Sequence, residues 1–372
     1  MTRKIIHVIS TIERGGAEKQ LLILVEEQVK SGMAVEVLYL KGNPELSRQI
    51  QDVGGVVNSE ISNLNFVKQL ILLKRFLRRE QATIHAHLPK SELLVALSCS
   101  NSHFVITRHN AEQFWPKAPS FISRWISRLI ASRAFAVIAI SKAVSNFLYT
   151  QREVSPHCRV TVIHYGFPNM RELGSKKNLS VSLFRDSPKD ELKIGTIGRL
   201  VAQKDYPTLL RGFQLALNLE PNMHLYIVGE GELRNELKIL AQTLGVSGKV
   251  SWLGKIELID EFLSKLDLFI LSSIYEGFGM VILEAMSNHV PILASNISAI
   301  PEVLGFDYPG LFPSGDPTQL ATLITQSLNK DFRKNLISNY AEQMELFSPQ
   351  KMTEKISSVY EAMRFKNLTR VK

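Results

Sequence analysis

Cysteine is scarce in this sequence, with Cys99 and Cys158 the only two among 372 residues. Two cysteines cannot supply the network of bridges that stabilises small secreted domains, and their spacing matches no metal-binding motif. The sequence therefore predicts reduced thiols and a chain that works in a reducing compartment.

Long apolar runs are also missing. No segment approaches the roughly 18 consecutive apolar residues of a membrane-spanning helix. The first stretch, MTRKIIHVIS, contains basic residues, but its apolar run is only about five residues long and no small-residue cleavage site follows. We expect this stretch to be a first strand and the protein to be cytoplasmic.

The second half of the chain lacks any excess of charge. Residues 171–372 contain 23 Lys and Arg against 23 Asp and Glu, whereas residues 1–170 contain 21 against 12. The whole net charge of +9 therefore lies in the first half, which favours contact with an anionic ligand or surface there. A nucleic-acid partner is not expected, because no aromatic base-stacking motif is interleaved with the basic residues.

Short apolar runs alternate with amphipathic segments along the chain. In the first half, strands are predicted for KIIHVIS, AVEVLYL, ATIHAHL, HFVITRH, AFAVIAIS and RVTVIHYG. In the second half they are predicted for KIGTIGRL, HLYIVGEG, KVSWLG, DLFILSS and VPILAS. Continuous apolar strands separated by helices are typical of parallel sheets covered on both faces. The predicted fold is α/β, with two Rossmann-like, doubly wound domains facing a cleft.

The alternation breaks over residues 168–191, a polar stretch that contains Pro168 and Pro188. We interpret this stretch as a linker between a first domain over 1–167 and a second over 192–349. A last helix over about 350–372 is expected to pack back on the first domain.

Cations and glycines follow the predicted strands of the second domain. Gly198 ends the first of them, and Arg199 and Lys204 follow on a loop, which suits a clamp for a diphosphate. The alternative is two ordinary surface cations. Gly229 and Gly231 end a second strand in the same way, and several such loops at one sheet edge favour a binding site.

Two carboxylates flank a third loop, in SSIYEGFGMVILEAMS. A helix that starts here would offer free amides to a phosphate, from Gly277, Phe278, Gly279, Met280 and Val281. Carboxylates are poor phosphate ligands, so Glu276 and Glu284 are expected to accept hydrogen bonds from the hydroxyls of a nucleotide sugar. Alternatively, Glu276 caps the helix and Glu284 forms a surface salt bridge.

These motifs resemble those of the retaining nucleotide-sugar glycosyltransferases of family 4, which have the GT-B fold. The resemblance rests on the seven residues between Glu276 and Glu284, on GRLVAQKD and VGEGE before them, and on ERGGAEKQLLIL, VIHYGF and GLFPSGDPTQLA elsewhere. It implies an acceptor-side first domain and a nucleotide-sugar-binding second domain.

The resemblance also implies a role for each site residue of the second domain. Arg199 and Lys204 would bind the donor diphosphate, Glu284 the ribose, and Glu276 with the 278–281 backbone the donor sugar and its phosphate. Transfer would retain the anomeric configuration without a protein nucleophile. No cofactor or metal is expected, because two cations and a helix end already neutralise the diphosphate.

In the first domain, Gly15 and Gly16 match the glycine-rich loop of the family, and His109 matches a histidine near the donor sugar. His85 and His87 share one face of a strand, but without an acidic or cysteine partner they do not predict a metal site. Ser298 and Ala299 depart from the family pattern, which commonly has two glycines there, so the identity of the donor sugar stays open.

The acceptor is sought in the basic half, and a lipid-linked glycan of cell-surface polysaccharide synthesis would suit it. Residues 114–133 combine aromatic and basic residues at near-helical spacing, which favours peripheral contact with the inner, anionic face of the cell membrane. Equally, the aromatic residues could be core and the charged face merely solvated.

Two functions of other classes stay open at this point. A nucleotide-sugar epimerase and a non-catalytic nucleotide-sugar-binding module could use the same fold. The paired cations and the two glutamates favour a transferase over both.

Overall fold

A computed structural model describes residues 4–100, 102–116, 118–168, 184 and 191–369. The chain divides into two compact units, one formed by Met1–Pro168 with Phe347–Lys372 and the other by Asn169–Leu346. Most of the predicted linker, residues 168–191, lies outside the described residues.

The first unit is built on a parallel sheet of seven strands in the order β3-β2-β1-β4-β5-β6-β7. The chain builds outward from β1 to β3 and then returns to the other side of β1 with β4. This reversal is the topological switch point of the sheet. The strands are β1 Lys4–Ile9, β2 Ala34–Tyr39, β3 Val56–Asn58, β4 Thr83–His87, β5 Phe104–Arg108, β6 Ala136–Ala139 and β7 Val160–Val162.

Helices connect these strands, as parallel pairing requires. They are α1 Gly16–Lys30, α2 Ser47–Asp52, α3 Phe66–Leu77, α4 Pro89–Ser98, α5 Ser120–Arg133 and α6 Lys142–Thr150. The helix α5 does not turn its aromatic residues toward the core. Its buried residues are Ser123, Ser127, Ile130 and Ala131. Trp125 is 66% exposed and Phe121 68%, so the alternative in which these aromatic residues are core is wrong.

The second unit contains a six-stranded parallel sheet in the order β10-β9-β8-β11-β12-β13, with its switch point between β8 and β11. Its strands are β8 Leu192–Ile197, β9 Met223–Val228, β10 Val250–Gly254, β11 Leu268–Leu271, β12 Ile292–Ser295 and β13 Leu311–Phe312. Its helices are α7 Tyr206–Leu219, α8 Arg234–Thr243, α9 Ile259–Ser264, α10 Met280–Ser287, α11 Ile300–Leu304, α12 Pro317–Gln326, α13 Lys330–Ile337 and α14 Tyr340–Glu345.

The predicted fold is confirmed: both sheets are parallel and doubly wound, and every predicted strand is present. Two edge strands, β3 and β13, were not predicted. They are three and two residues long, too short to give a periodic pattern.

The last helix, α15 Pro349–Thr369, belongs to the first unit. Its buried residues Met352, Ile356, Tyr360 and Met363 share one hydrophobic cluster with residues of β1, α1, β5 and β6. The backbone amide of Phe167 donates to the carbonyl of Phe347 at 2.7 Å, which joins the end of the first segment to the start of the last.

We predict that Ile356→Ala lowers the free energy of unfolding of the first unit by about 2–5 kcal/mol, because it leaves a cavity in that cluster. Glu354→Ala, on the exposed side of the same helix, is the matched control and should change it by less than about 0.5 kcal/mol. Urea unfolding followed by fluorescence measures both. Equal effects of the two changes would contradict the packing of α15.

Candidate functional site

Three loops meet at the switch point of the second sheet, after β8, β9 and β11. Gly229 and Gly231 allow the loop after β9 to approach that after β8. A Cβ on Gly229 would lie 1.9 Å from the carbonyl oxygen of Gly198, and one on Gly231 would lie 2.3 Å from that of Leu200. Gly229 also has a φ of +134°, which disfavours any side chain. Both glycines of the loop after β9 are therefore required by its contact with the backbone of the loop after β8.

Hydrogen bonds join the loop after β8 to the loop after β11. The amide of Ile274 donates to the carbonyl of Gln203 at 2.9 Å, and the Gln203 side chain donates to the carbonyl of Tyr275 at 3.0 Å. The Ser272 hydroxyl donates to the carbonyl of Lys204 at 2.8 Å. These bonds fix Lys204 and the start of the third loop relative to each other.

The centre of this arrangement is an ion pair between Lys204 and Glu276. Lys204 Nζ lies 2.6 Å from Glu276 Oε1, and the Ser273 hydroxyl donates to the same oxygen at 2.7 Å. Glu276 is 7% exposed, so its charge needs such partners. The carboxylate of Glu276 therefore fixes the position of the Lys204 ammonium.

The helix α10 begins directly after this pair. Its N-cap is Gly279, in the left-handed conformation with φ 88°, and no side chain caps it. The alternative in which Glu276 caps the helix is therefore wrong. The first amides of a helix have no intrahelical acceptor, so those of Met280 and Val281 suit an anion.

The remaining predicted residues surround the helix start. Phe278 is 2% exposed and anchors the loop in the core, so its contribution to a ligand site is through its backbone. Glu284 is half-buried about one turn into α10, and Arg199 is exposed on the loop after β8. The structure thus brings the predicted residues of the second unit to one sheet edge.

Ser298, where the family commonly has glycine, has a φ of +56°. This left-handed conformation accounts for the preference for glycine. In this chain the Ser298 hydroxyl donates to the carbonyl of Glu276 at 2.8 Å. The serine therefore tolerates a strained backbone and holds the third loop by a bond that glycine cannot make.

In the first unit, Gly15 and Gly16 follow β1 and start α1. Gly15 is the N-cap of α1 and has no side-chain cap, and a Cβ on Gly16 would meet no atom within 4 Å. The Glu18 carboxylate lies beside Gly15 and accepts a hydrogen bond from the Thr11 hydroxyl at 2.6 Å. Sequence reasoning did not single out Glu18.

His109 comes directly after β5 and is 8% exposed. Its Nε2 lies 3.2 Å from Nδ1 of His87, and its Nδ1 lies 2.5 Å from the hydroxyl of Tyr165. Burial lowers the pKa of His109 to about 3, so the ring is neutral at pH 7. Both ring nitrogens are engaged within the first unit.

His7 in β1 is buried beside His85 and His87, and the nitrogens that these three rings could offer to a metal lie within 4.8 Å of one another. His85 and His87 share a face as predicted, with ring centroids 4.1 Å apart. Protein atoms pair with both nitrogens of each of the three rings. That no metal is needed stays a prediction.

Known protein families match both units. Residues 14–168 match the family described as Glycosyltransferase Family 4, and residues 184–344 match the one described as Glycosyl transferases group 1. EpsF of Bacillus subtilis (strain 168), which is named as a glycosyltransferase, is 26% identical over 317 residues, 79% of this chain and 79% of that protein.

Two further proteins extend the comparison. The UDP-Gal:alpha-D-GlcNAc-diphosphoundecaprenol alpha-1,3-galactosyltransferase of Escherichia coli is 27% identical over 252 residues, 64% of each chain. The crystal structure of Anabaena HepE in complex with UDP and glucose has a TM-score of 0.81 at 20% identity, over 97% of this chain and 100% of that one.

Two parallel, Rossmann-like domains and the matches to these families define the fold as GT-B and the protein as a glycosyltransferase. The chain belongs to glycosyltransferase family 4. An epimerase or a non-catalytic module is not favoured. Among the described residues, no helix has the length and apolar character needed to span a membrane.

We predict that Ser298→Ala destabilises the protein by about 1 kcal/mol more than Ser298→Gly. Alanine retains the left-handed backbone strain and loses the hydrogen bond, whereas glycine removes the strain as well as the bond. Thermal or urea unfolding of both variants beside the unmodified protein measures the difference. An alanine variant as stable as the glycine variant would show that φ at this position is not positive in solution.

Proposed function

We propose that the protein transfers a sugar from a nucleotide-diphosphate donor to a hydroxyl of a glycan acceptor, with retention of anomeric configuration. The observation that carries this is the Lys204–Glu276 pair beside the start of α10. Lys204, which the buried carboxylate of Glu276 orients, lies at the same sheet edge as the first amides of α10.

The donor diphosphate is proposed to lie on Lys204, Arg199 and the first amides of α10. Structures of HepE contain UDP and UDP-glucose, which supports a nucleotide-sugar donor for this fold. Glu284, one turn into the helix, is assigned to the ribose, and Glu276 to the donor sugar. Because Glu276 Oε1 is occupied by Lys204 and Ser273, its second oxygen is the candidate for the sugar contact.

Catalysis would depend on stabilising the leaving group. As the bond to the anomeric carbon breaks, positive charge develops on the sugar and negative charge on the diphosphate. Lys204, Arg199 and the helix end stabilise the second of these. The sequence shows no pair of acids of the glycosidase kind, and Glu276 Oε1 is held by Lys204 and Ser273. We therefore propose attack by the acceptor hydroxyl on the face of the leaving group, with the departing phosphate as its base. No metal is assigned a part, and the contact of His109 with the donor sugar stays a prediction.

The acceptor is proposed to be a lipid-linked glycan in cell-surface polysaccharide synthesis. The E. coli relative is named for a diphosphoundecaprenol substrate, and so is a Campylobacter jejuni relative that is 26% identical over 198 residues. Such an acceptor lies at a membrane, so the enzyme has to reach one.

The helix α5 is the surface proposed for that contact, on the cytoplasmic face. Phe121, Trp125 and Leu129 are exposed along it, and Arg124 and Arg128 line the same groove, with Arg152 opposite. Exposed aromatic rings among arginines suit the interface of an anionic membrane. Lys117 lies outside the described residues.

For the donor site we predict that Glu284→Ala weakens binding of UDP by about 1.5–3 kcal/mol, whereas Glu276→Ala chiefly lowers turnover. Lys204→Ala or Arg199→Ala should remove roughly 2–5 kcal/mol of transition-state stabilisation. Calorimetry with UDP and hydrolysis of a panel of nucleotide sugars measure the two quantities. Equal effects of the two glutamate changes on UDP binding would show that their roles are misassigned, and unchanged turnover without either cation would remove the clamp.

For the membrane we predict that binding to vesicles rises with the fraction of anionic lipid and falls with salt, since each arginine near the surface contributes about 1 kcal/mol. Trp125→Ser should weaken vesicle binding and leave donor hydrolysis intact. The matched control is Leu219→Ser, an exposed apolar residue of the second unit, which should change neither. Vesicles without effect at every composition would favour a soluble acceptor drawn in by the net charge of +9.

A further inference from the structure

A chain of hydrogen bonds links His109 to the helix α1 through the interior of the first unit. His109 Nε2 lies 3.2 Å from His87 Nδ1, and His87 Nε2 lies 3.0 Å from His7 Nδ1. His7 Nε2 lies 2.8 Å from the side-chain oxygen of Gln28. At the other end, the Tyr165 hydroxyl lies 2.5 Å from His109 Nδ1.

The strand register explains why these rings meet. His7 in β1 is opposite His85 in β4, and His87 is opposite Thr107 in β5, so the histidines and the residue two beyond Thr107 lie on one face of the sheet. That face is covered by α1, which supplies Gln28, and by α15. The hydrogen-bond chain passes from β4 to β1 at the switch point of the sheet.

Gln28 determines where every proton of this chain lies. Its side-chain nitrogen donates to the Tyr360 hydroxyl at 3.5 Å, which turns its oxygen toward His7. An amide oxygen only accepts hydrogen bonds, so a neutral His7 donates from Nε2 and accepts at Nδ1. His87 then donates from Nε2 and accepts at Nδ1, and His109 does the same. Tyr165 must donate its hydroxyl proton to His109 Nδ1.

The charge state of the rings agrees with this order. Burial lowers the pKa of His7 to about 4 and that of His87 well below its ordinary value. A neutral imidazole carries a single N–H, and this order of donors and acceptors requires one N–H on each of the three rings.

We propose that Gln28 and His7 are positioning residues that, through His87, hold the proton of His109 on Nε2. His109 then meets its ligand as a neutral hydrogen-bond acceptor at Nδ1, the atom that accepts from Tyr165 here. A ligand hydroxyl that takes the place of the Tyr165 hydroxyl can donate to Nδ1. A phosphate oxygen has no proton to donate, so the lone pair of Nδ1 repels it. This inference rests on the proposed function for the assignment of His109 to a sugar hydroxyl.

A metal ion on His7, His85 and His87 is the competing interpretation of the same cluster. Such an ion would require the facing nitrogens of His7 and His87 to be unprotonated. Those nitrogens are 3.0 Å apart, the distance of an N–H donor and its acceptor, and His85 pairs with Tyr360 and Thr107 at 2.6 and 2.7 Å. Hydrogen bonding accounts for every ring nitrogen of the cluster.

The test is the tautomer of each histidine, read from long-range ¹H–¹⁵N NMR of the ¹⁵N-histidine-labelled protein at pH 7 and assigned with single histidine variants. We expect neutral, Nε2-protonated rings for His7, His87 and His109. A proton on Nδ1 of His109, a cationic ring, or stoichiometric zinc with metal-shifted nitrogen signals would each overturn the proposal. This measurement needs no activity, so it stands apart from any failure of the proposed function.

Variants of Gln28 separate positioning from mere packing. Gln28→Leu removes the acceptor and should give a mixture of tautomers at His109, with kcat about 10- to 100-fold lower, the range for losing a partner that orients a functional histidine. UDP binding should be unchanged, because the proposed nucleotide residues belong to the second unit. Gln28→Glu retains an acceptor oxygen and should restore the tautomer and most of the rate.

Gln69→Leu is the matched control, since Gln69 is also a fully buried glutamine of the first unit. It donates to the carbonyls of Leu40 and Ile61 and makes no contact with the histidine chain. It should lower stability and leave the histidine signals as they are. An unchanged His109 tautomer in Gln28→Leu, or the same loss of kcat in Gln69→Leu, would overturn the proposal. Should Gln28→Leu fail to fold, the spectra of the unmodified protein and of Gln28→Glu decide.

Discussion

The ion pair between Lys204 and Glu276 is the interaction on which the geometry of the second unit's site depends. Burying a carboxylate to this degree costs free energy unless a cation or strong donors lie beside it, and Lys204 and Ser273 supply both. The pair spans the switch point, from the loop after β8 to the loop after β11. The pair fixes the direction of the Lys204 ammonium, and the Arg199 cation and the start of α10 add positive potential at the same sheet edge.

Much of the fold could be predicted from the sequence because parallel strands buried on both faces are apolar throughout. Segments such as DLFILSS and AFAVIAIS leave no other interpretation when helices flank them. The strand β3 is part-exposed and β13 has two residues, so neither provides a pattern. The orientation of α5 was not predictable either, because Ile130 is the one large apolar residue of its buried face and the others are Ser123, Ser127 and Ala131, which a hydrophobicity pattern does not identify.

The site shows a similar division. The glycines and cations after each strand are visible in the sequence, since loops at the carboxyl ends of parallel strands must converge. The partner of Glu276 is not visible, because Lys204 lies 72 residues before it and only the sheet order brings the two together. His7 was missed for a related reason: within KIIHVIS it is one polar residue in a buried strand, and its meaning appears only when β4 is placed beside β1.

The first unit is built from two segments that lie far apart in the sequence, and this affects its synthesis on the ribosome. The residues of α15 are made after the whole of Asn169–Leu346. Until they emerge, the sheet face around Ile5, Val105 and Ile138 lacks part of its cover, whereas the second unit is contiguous and needs nothing from the chain's end. The first unit is therefore completed after the second, and a nascent chain exposes an apolar sheet face for the time that some 180 intervening residues take to be made, on the order of 10 to 35 s at typical elongation rates.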